Sequence, residues 1–322
     1  MKISGFTFVR NATRLFFPIR ESIESILPLV EEFIVLYSKG DEGDRTLEEI
    51  QKINSPKIRI IESDWDRDKY PHNTVYAHET DKAKDHCTGD WLFYLQSDEA
   101  VHENELEKIR EACAYYLDDV EVEGLLFEFR HFWGDFDHYF KAHNWYPREI
   151  RIIRNKKEIH SWKDAQSFRV FDSFNYTFQD YLRRKGTRKL KVARIYCHIH
   201  HYGWVRPPRV MTQKTQTADP ELGPRLKETE FDYGPLNKLK KYNGTHPKSI
   251  IPWIEKIFDW SDQLQYEGGR KKSRPMYKHE RLKYRILSFL ENNFLNGRQI
   301  GGFKNYEIIR NFESPNHSAT RS

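Results

Sequence analysis

Apolar residues alternate between strand spacing and helix spacing through the first half of the chain. Short apolar runs predict strands at residues 2–9, 32–37, 58–61 and 91–95. Apolar residues at helical spacing between these runs predict helices at 19–29, 47–53 and 76–86. Strands that alternate with helices are typical of an α/β fold with a largely parallel sheet. We therefore expect helices on the faces of such a sheet.

The second half of the chain departs from this alternation. Residues 124–132 and 151–154 predict strands without a clear crossover helix, so the sheet is expected to become mixed. Beyond about Pro207 the chain is rich in lysine and interrupted by prolines, and helical spacing returns at 250–264 and 276–294. The apolar residues on one face of the later helix are Leu282, Ile286, Phe289 and Leu290. We expect this helical C-terminal extension to pack on the core.

Composition indicates a soluble protein. The chain has 322 residues, of which 38% are hydrophobic and 31% charged. It enters a strand pattern at once and has no apolar run long enough to span a bilayer, so we expect neither a signal peptide nor a membrane span. Three cysteines without paired spacing favour a reducing, cytoplasmic setting over a disulfide framework or a zinc site.

The net charge of +5 is unevenly distributed. Residues 183–191 and 270–285 are dense in lysine and arginine. Such stretches are most often solvated surfaces, but they also suit contact with anionic lipid or nucleic acid. Peripheral contact with the inner face of a membrane therefore stays open, and we expect no nucleic-acid partner.

The most informative segment follows the apolar run at 91–95. That run ends abruptly in Gln96, Ser97, Asp98 and Glu99. In parallel sheets, ligands bind just beyond the carboxyl ends of the strands. Two adjacent carboxylates at that position suit Mg²⁺ or Mn²⁺, which prefer oxygen ligands. The alternative is that the two acids only cap the helical stretch that begins at Glu103.

Six motifs in order carry a resemblance to a known family. They are residues 3–12 (ISGFTFVRNA), 89–99 (GDWLFYLQSDE), 148–155 (REIRIIRN), 164–169 (DAQSFR), 201–208 (HYGWVRPP), and 231–234 (FDYG) with 244–247 (GTHP). The chain resembles bacterial family 2 glycosyltransferases over roughly residues 1–260. The resemblance implies a GT-A-type (Rossmann-like), mixed, mostly parallel sheet flanked by helices.

We expect the chain to divide into three parts. Residues 1–206 are the expected nucleotide-sugar-binding catalytic domain, and residues 207–313, where the composition changes, are the expected helical extension. Residues 314–322 have no apolar anchor and are expected to be a disordered tail.

The resemblance implies transfer of a sugar from a nucleotide-diphosphate donor to an acceptor hydroxyl, with inversion at the anomeric carbon. A UDP- or GDP-sugar is the expected donor. A glycan or a lipid-linked molecule is the expected acceptor, in the synthesis of cell-surface polysaccharide or another glycan. A divalent cation, Mn²⁺ or Mg²⁺, is the expected cofactor, because it stabilises the charge of the leaving nucleotide.

The resemblance assigns the metal ligands. Asp98 matches the last aspartate of the family's metal motif, whereas Gln96 replaces the first and brings a carbonyl oxygen without charge. Glu99 is a candidate to compensate for that loss. His201 is the candidate third ligand, from a histidine-rich segment at 198–201.

Donor contacts are expected from Arg10 and Asn11, which end the first strand, and from Asp41, Gln96, Arg206 and Lys214. Arg206 and Lys214 are expected to neutralise the diphosphate. Asp41 has a simpler alternative, since its loop is rich in turn-forming residues. Ala12 stands where the family pattern has an acid.

Inverting transfer needs a base for the acceptor proton. Asp164 is our first candidate and Asp180 the second. Glu149 is a third, although we expect it to pair with Arg148 or Arg151. Acceptor rings are expected to stack on tryptophans, for which the candidates are Trp145, Trp162 and Trp204.

Two other functions remain open. A nucleotidyltransferase would normally show a glycine-rich phosphate loop, and residues 8–12 contain no glycine. A non-catalytic protein of glycosyltransferase ancestry that binds a nucleotide-sugar or a glycan would tolerate Gln96 and Ala12.

Overall fold

The computed structural model describes residues 1–143, 145–217, 231–269, 276–295, 299–302 and 304–314. The strands are β1 (Ile3–Val9), β2 (Glu32–Tyr37), β3 (Ile58–Glu62), β4 (Trp91–Tyr94), β5 (Glu99–Val101), β6 (Gly124–Phe132), β7 (His138–Phe140), β8 (Arg148–Arg154), β9 (Ile159–Trp162), β10 (Ser167–Phe171), β11 (Thr187–His201), β12 (Lys240–Lys241) and β13 (Tyr306–Asn311). The helices are α1 (Ile19–Ile26), α2 (Thr46–Gln51), α3 (Thr74–Asp85), α4 (Leu106–Tyr115), α5 (Phe178–Leu182), α6 (Pro208–Thr217), α7 (Ile251–Ile257) and α8 (Leu282–Phe294).

One mixed sheet organises the chain, in the order β3-β2-β1-β4-β8-β6-β11-β10-β9. Strands β3, β2, β1 and β4 are all parallel. Strand β8 is antiparallel to both of its neighbours, whereas β6 and β11 run parallel to each other. The predicted α/β fold is confirmed, and the sheet becomes mixed where the crossover helices stop. The carboxyl ends of β1, β2 and β4 consequently lie at one edge.

Strand β4 shows why its sequence is apolar at every position. Trp91 and Phe93 pack into the core that contains α1 and α4. Leu92 and Tyr94 point to the opposite face, where α3 contributes to a second core. Because both faces of the strand are covered, a polar group here needs a partner in the core, as the Tyr94 hydroxyl has in Thr80 and Gln96.

The C-terminal segment is less purely helical than the sequence indicates. Strand β13 joins the main sheet parallel to β11, with Tyr306 opposite Leu190. Strand β12 pairs with β7. Of the predicted tail, Ser314 is buried, and residues 315–322 lie outside the described residues.

Within the predicted extension, Trp253 and Trp260 pack in a core cluster with Phe132, whereas the apolar face of α8 does not pack on the core. Leu282 is 70% exposed, Ile286 51%, Phe289 61% and Leu290 39%. The helix instead buries Glu291. Among the described helices, none has the length and apolar composition that crossing a membrane requires.

Candidate active site

A cleft of about 730 Å³ opens at the carboxyl ends of β1, β2 and β4. It is lined by residues from the ends of these strands, the loop after β3, the β9–β10 turn and α6. The predicted site residues that line it are Arg10, Asn11, Asp41, Gln96, Asp98, Asp164 and Lys214. Residues up to 204 positions apart in the chain, from Arg10 to Lys214, are thus brought to one edge of the sheet.

Arg10, Asn11 and Asp41 form one hydrogen-bonded group at this edge. Arg10 Nη2 and Asn11 Nδ2 donate to the two carboxyl oxygens of Asp41, each over 2.9 Å. The Asp41 N–H donates in turn to Asn11 Oδ1 over 2.7 Å. Asn11 adopts a left-handed backbone conformation with φ 58°, which asparagine tolerates better than most residues. The end of β1 is thereby fixed to the loop after β2.

An aromatic wall lines the same end of the cleft, and sequence reasoning missed it. Phe8, Trp65 and Tyr76 contact one another, with ring centroids 5.4–5.8 Å apart. Trp65 Nε1 is buried and has no hydrogen-bond partner within the described part of the chain. The signal was available, because Trp65 follows β3, which is parallel to β1 and ends at the same edge.

Asp98 and His201 are side by side, with 3.7 Å between Asp98 Oδ2 and His201 Nε2. His201 Nδ1 is 3.0 Å from His131 Nδ1, and His131 Nε2 is 2.8 Å from the carbonyl oxygen of Tyr146. Burial lowers the pKa of both imidazoles well below the usual range, so both are neutral. A carbonyl only accepts, so His131 carries its proton on Nε2 and accepts the Nδ1–H of His201. His201 Nε2 therefore presents a lone pair towards Asp98.

Position 203, in the histidine-rich motif, has no space for a side chain. A Cβ at this position would lie 2.5 Å from His201 Nε2 and 2.6 Å from Asp98 Oδ2. The Gly203 carbonyl accepts hydrogen bonds from Arg206 Nη2 over 2.8 Å and from Lys214 Nζ over 2.7 Å. Any side chain here would displace the carboxylate or the imidazole. The sequence analysis did not single out Gly203.

Arg206 and Lys214 bring positive charge to the same point. Arg206 is fully buried, and its Nε and Nη1 have no hydrogen-bond partner among the described residues. Burial lowers the pKa of Arg206 to about 10 and that of Lys214 to about 7, and the charge of Asp98 opposes both shifts. Such burial is costly without a counter-charge. The arrangement therefore suits an anion, which would raise both pKa values again.

Asp98 and His201 supply two of the ligands that a divalent cation needs. Two facing lone-pair donors, Asp98 Oδ2 and His201 Nε2, are close enough for one small cation to span. Within the described residues, no group of three or more His, Cys, Asp or Glu side chains forms a metal site. Mg²⁺ and Mn²⁺ commonly complete such partial sites with water and substrate phosphates. The imidazole favours Mn²⁺ over Mg²⁺.

Glu99 has no place in this donor set. Its two carboxyl oxygens accept from Arg151 Nη2 over 2.6 Å and from Arg151 Nε over 2.7 Å, and both residues are fully buried. The Arg151 guanidinium also lies over the rings of Phe129 and Tyr94. A metal would have to break this pair, so we do not retain Glu99 as a metal ligand.

Asp164 sits in the β9–β10 turn under backbone strain. Its neighbours Lys163 and Ala165 have φ values of 61° and 63°, which are uncommon for residues other than glycine. Gln96 Nε2 donates to the Ala165 carbonyl over 3.2 Å and so ties the turn to the end of β4. Burial raises the pKa of Asp164. Gln96 therefore has a structural task beside any donor contact.

The rival bases lie elsewhere. Asp180 is in a capping box with Thr177 and binds Arg183, which is how an acid at the start of a helix is ordinarily used. Burial raises the pKa of Glu149 to about 7, opposed by the charge of Arg151.

The expected ion pair of Glu149 is wrong, because Arg148 binds Glu128 and Arg151 binds Glu99. No described group forms a hydrogen bond of normal geometry with the Glu149 carboxyl oxygens. Neither Asp180 nor Glu149 lines the cleft.

The three candidate acceptor tryptophans do not form one group. Trp145 and Trp204 meet with centroids 5.5 Å apart, and both contact Trp133. Lys214 lies over the Trp204 ring, which links this aromatic cluster to the cleft. Trp162 is separate and buried, with its Nε1 bonded to the Arg183 carbonyl.

Comparison with known proteins gives structural matches only. No family model matches the sequence, and no curated protein matches it. Glucosyl-3-phosphoglycerate synthase from Mycobacterium tuberculosis, in complex with Mn²⁺, UDP and phosphoglyceric acid, is 18% identical with a TM-score of 0.28. That match covers 40% of this chain and 42% of that chain. S. aureus TarS 1-349 in complex with UDP is 16% identical with a TM-score of 0.39, and the match covers 71% of this chain and 68% of that chain. This chain thus matches less than half the length of the first of these structures. Because identities and TM-scores are this low, these structures do not assign a function to it.

Proposed function

We propose that this protein is an inverting glycosyltransferase that uses a nucleotide-diphospho-sugar. One observation carries the proposal. A cleft at the carboxyl edge of the sheet is lined by an aromatic wall, Asp98, Asp164 and Lys214. His201 lies beside Asp98, and the buried Arg206 shares the Gly203 carbonyl with Lys214. These are the groups that a base, a diphosphate and a reacting sugar require, and Asp98, Asp164, His201 and Arg206 lie in the motifs that resemble family 2 glycosyltransferases.

The donor is proposed to lie along the cleft. Its base stacks beside Trp65, whose Nε1 offers a hydrogen bond, and the ribose lies near the Asp41 group. Its diphosphate reaches Lys214 and the charge of Arg206 at the other end. The proposed donor is a UDP- or GDP-sugar, since either base can stack on an aromatic wall.

The metal is proposed to be Mn²⁺, or Mg²⁺, held by Asp98 and His201 together with the diphosphate oxygens. When bound, it would neutralise charge that accumulates on the leaving nucleoside diphosphate. The protein's part is to fix the two donors. His131 sets the His201 tautomer, and Gly203 leaves space where a side chain would intrude.

The base is proposed to be Asp164. Its carboxylate accepts the proton of the acceptor hydroxyl as that oxygen attacks the anomeric carbon, while the bond to the diphosphate breaks on the opposite face. A raised pKa makes the carboxylate a better base. The departing oxygen's charge is met by Arg206 and Lys214.

The acceptor is proposed to be a glycan or a lipid-linked molecule in polysaccharide or glycan synthesis at the cytoplasmic side of a membrane. The Trp145 and Trp204 cluster supports a ring-bearing acceptor, because it joins the cleft through Lys214.

The test is transfer by purified protein from UDP- and GDP-sugars with Mn²⁺, with the anomeric configuration of the product read by NMR. Asp164→Asn should still bind nucleotide and lose transfer, whereas Asp180→Asn should retain both. Retention of configuration would contradict a single base. Nucleotide binding without transfer or donor hydrolysis would instead favour a non-catalytic binding protein. Gln96, which replaces an acid of the family motif, is consistent with that alternative.

A further inference from the structure

Helix α8 is attached to the protein by its polar side. Glu291 is buried and accepts from His143 Nδ1 over 2.6 Å and from the Ile300 N–H over 2.7 Å. Ser288 Oγ accepts from the His143 N–H, and Asn292 Nδ2 donates to the Lys141 carbonyl. An ordinary surface helix turns its apolar side inwards, and this one does the reverse.

The outward side of α8 is an apolar stripe. Its members recur at helical spacing. They are Leu282, Ile286, Phe289, Leu290 and Phe294, which are 39–71% exposed. Phe289 and Phe294 are the largest, at 61% and 71%. A continuous apolar surface of this kind marks an interaction site.

The exposed charges of residues 281–295 have one sign. This segment contains Arg281, Lys283 and Arg285, all exposed, and one acid, the buried Glu291. Residues 270–280 add further lysines and arginines and one half-buried acid, Glu280. Two copies of this face would bring exposed like charges together. An anionic lipid surface, in contrast, satisfies both the apolar stripe and its cations.

We propose that α8 lies in the headgroup region of a bilayer that contains anionic lipid, with its apolar stripe buried and Arg281, Lys283 and Arg285 at the phosphates. The helix has 13 residues, so it presents a strip about 20 Å long. This proposal assigns the membrane contact that residues 270–285 left open to one helix face. It does not depend on the proposed enzymatic function.

If α8 docks on a membrane, its position also bears on the acceptor site, and this point rests on the proposed function. The helix holds residues 141–143, which lead into Trp145 of the aromatic cluster beside the cleft. Docking through α8 would therefore place that cluster near the membrane, where a lipid-linked acceptor is anchored.

The test is co-sedimentation of the full chain with vesicles of phosphatidylcholine, alone or mixed with phosphatidylglycerol. The protein should bind the mixed vesicles at least tenfold more tightly than the neutral ones. The double variant Phe289→Ser with Phe294→Ser should lose about tenfold or more in affinity. Exchanging Arg281, Lys283 and Arg285 for Gln should remove the preference for phosphatidylglycerol. Tyr115→Ser with Val120→Ser, which alters two equally exposed residues away from α8, is the matched control and should bind normally.

Three outcomes would overturn the proposal. The first is wild-type protein that stays in solution with mixed vesicles. The second is a Phe289/Phe294 variant that binds as the wild type does. The third is a dimer in solution, measured by light scattering without vesicles, that the same variant converts to a monomer, since the stripe would then bind a second copy. Nucleotide binding is measured separately, so failure here leaves the proposed enzymatic function standing.

Discussion

Asp98 and Glu99 are neighbours in the chain, yet their surroundings are opposite. Glu99 is fully buried and bonded through both oxygens to Arg151, which is itself buried against aromatic rings. Asp98 borders the cleft beside His201 Nε2, and its charge acts on Arg206 and Lys214, whose pKa values burial lowers.

A structural ion pair and a candidate binding site thus differ in whether their polar groups already have partners. The Glu99–Arg151 pair is complete, so removing one member leaves a buried charge and weakens the fold. The group around Asp98 is less complete, with a histidine nitrogen 3.7 Å from the carboxylate and Arg206 N–H groups that have no partner within the described residues. We propose that a metal and an anion complete it.

Asp98→Asn should reduce sugar transfer about a thousandfold or more, on the order of 4 kcal/mol of transition-state stabilisation, because the metal loses its charged ligand. The melting temperature of the protein without ligand should not fall. Steady-state kinetics and thermal melting measure the two effects. A loss of stability equal to that of a Glu99 variant would remove the contrast.

Glu99→Gln should lower the free energy of unfolding by about 3–5 kcal/mol, because Arg151 keeps its charge in a dry core. Urea denaturation measures this change. Folded Glu99→Gln protein should still bind nucleotide with Mn²⁺. If it is as stable as the wild type but no longer binds metal, Glu99 belongs to the site after all.

Arg206→Met should weaken nucleotide binding by about 2 kcal/mol, roughly thirtyfold, through loss of a charge near the diphosphate. It should leave stability unchanged or raise it, because it removes buried N–H groups that have no partner among the described residues. Calorimetry and urea denaturation check the two halves. A strongly destabilised variant would show that Arg206 is structural.

Nucleotide affinity should fall as the pH rises above about 7. The fall should approach roughly tenfold per pH unit, because one proton is taken up when the nucleotide binds. The sign follows from Lys214, whose pKa burial lowers to about 7, so that it is charged below that pH and neutral above it. Titrations across the pH range measure the slope. Lys214→Arg, which stays charged, should give a flat profile; an unchanged slope would exclude Lys214 as the cause.

Trp65→Ala should weaken nucleotide binding by about 1–2 kcal/mol, because a base loses its stacking partner. Trp162→Phe is a matched control, since Trp162 is buried away from the cleft and its variant should bind nucleotide normally. Equal losses for both variants would show that the aromatic wall has no specific role. Fluorescence titration distinguishes the two results.

The apolar runs predict β1, β2, β3, β4, β6 and part of β8, but not β5, β7, β9, β10, β11, β12 or β13. The sequence also predicts that Arg10 and Asp98 lie at one edge, since carboxyl ends of parallel strands share an edge. Asp164 reaches that edge from the turn between the antiparallel β9 and β10, which the same rule does not cover. The sequence could not show that Glu99 is already paired, because Arg151 stands 52 residues away and the pairing depends on strand register.

Two further features escaped prediction for different reasons. The position of Trp65 could have been predicted, because it follows a strand that ends at the same edge of the sheet, but it lies in a polar loop and was overlooked. Helix α8 has an apolar face like that of any surface helix, and periodicity cannot tell which side meets the protein. That orientation is decided by Glu291 and His143, far apart in the chain.

The central claim is that Asp98 and His201 complete a metal site only together with a nucleoside diphosphate. Isothermal titration calorimetry with UDP and GDP, in Mn²⁺ or in EDTA, tests it on wild-type protein and on Asp98→Asn. We predict that one of the two nucleotides binds in Mn²⁺, and that either EDTA or the substitution abolishes that binding. Binding that survives both changes, or no binding of either nucleotide, would contradict the account.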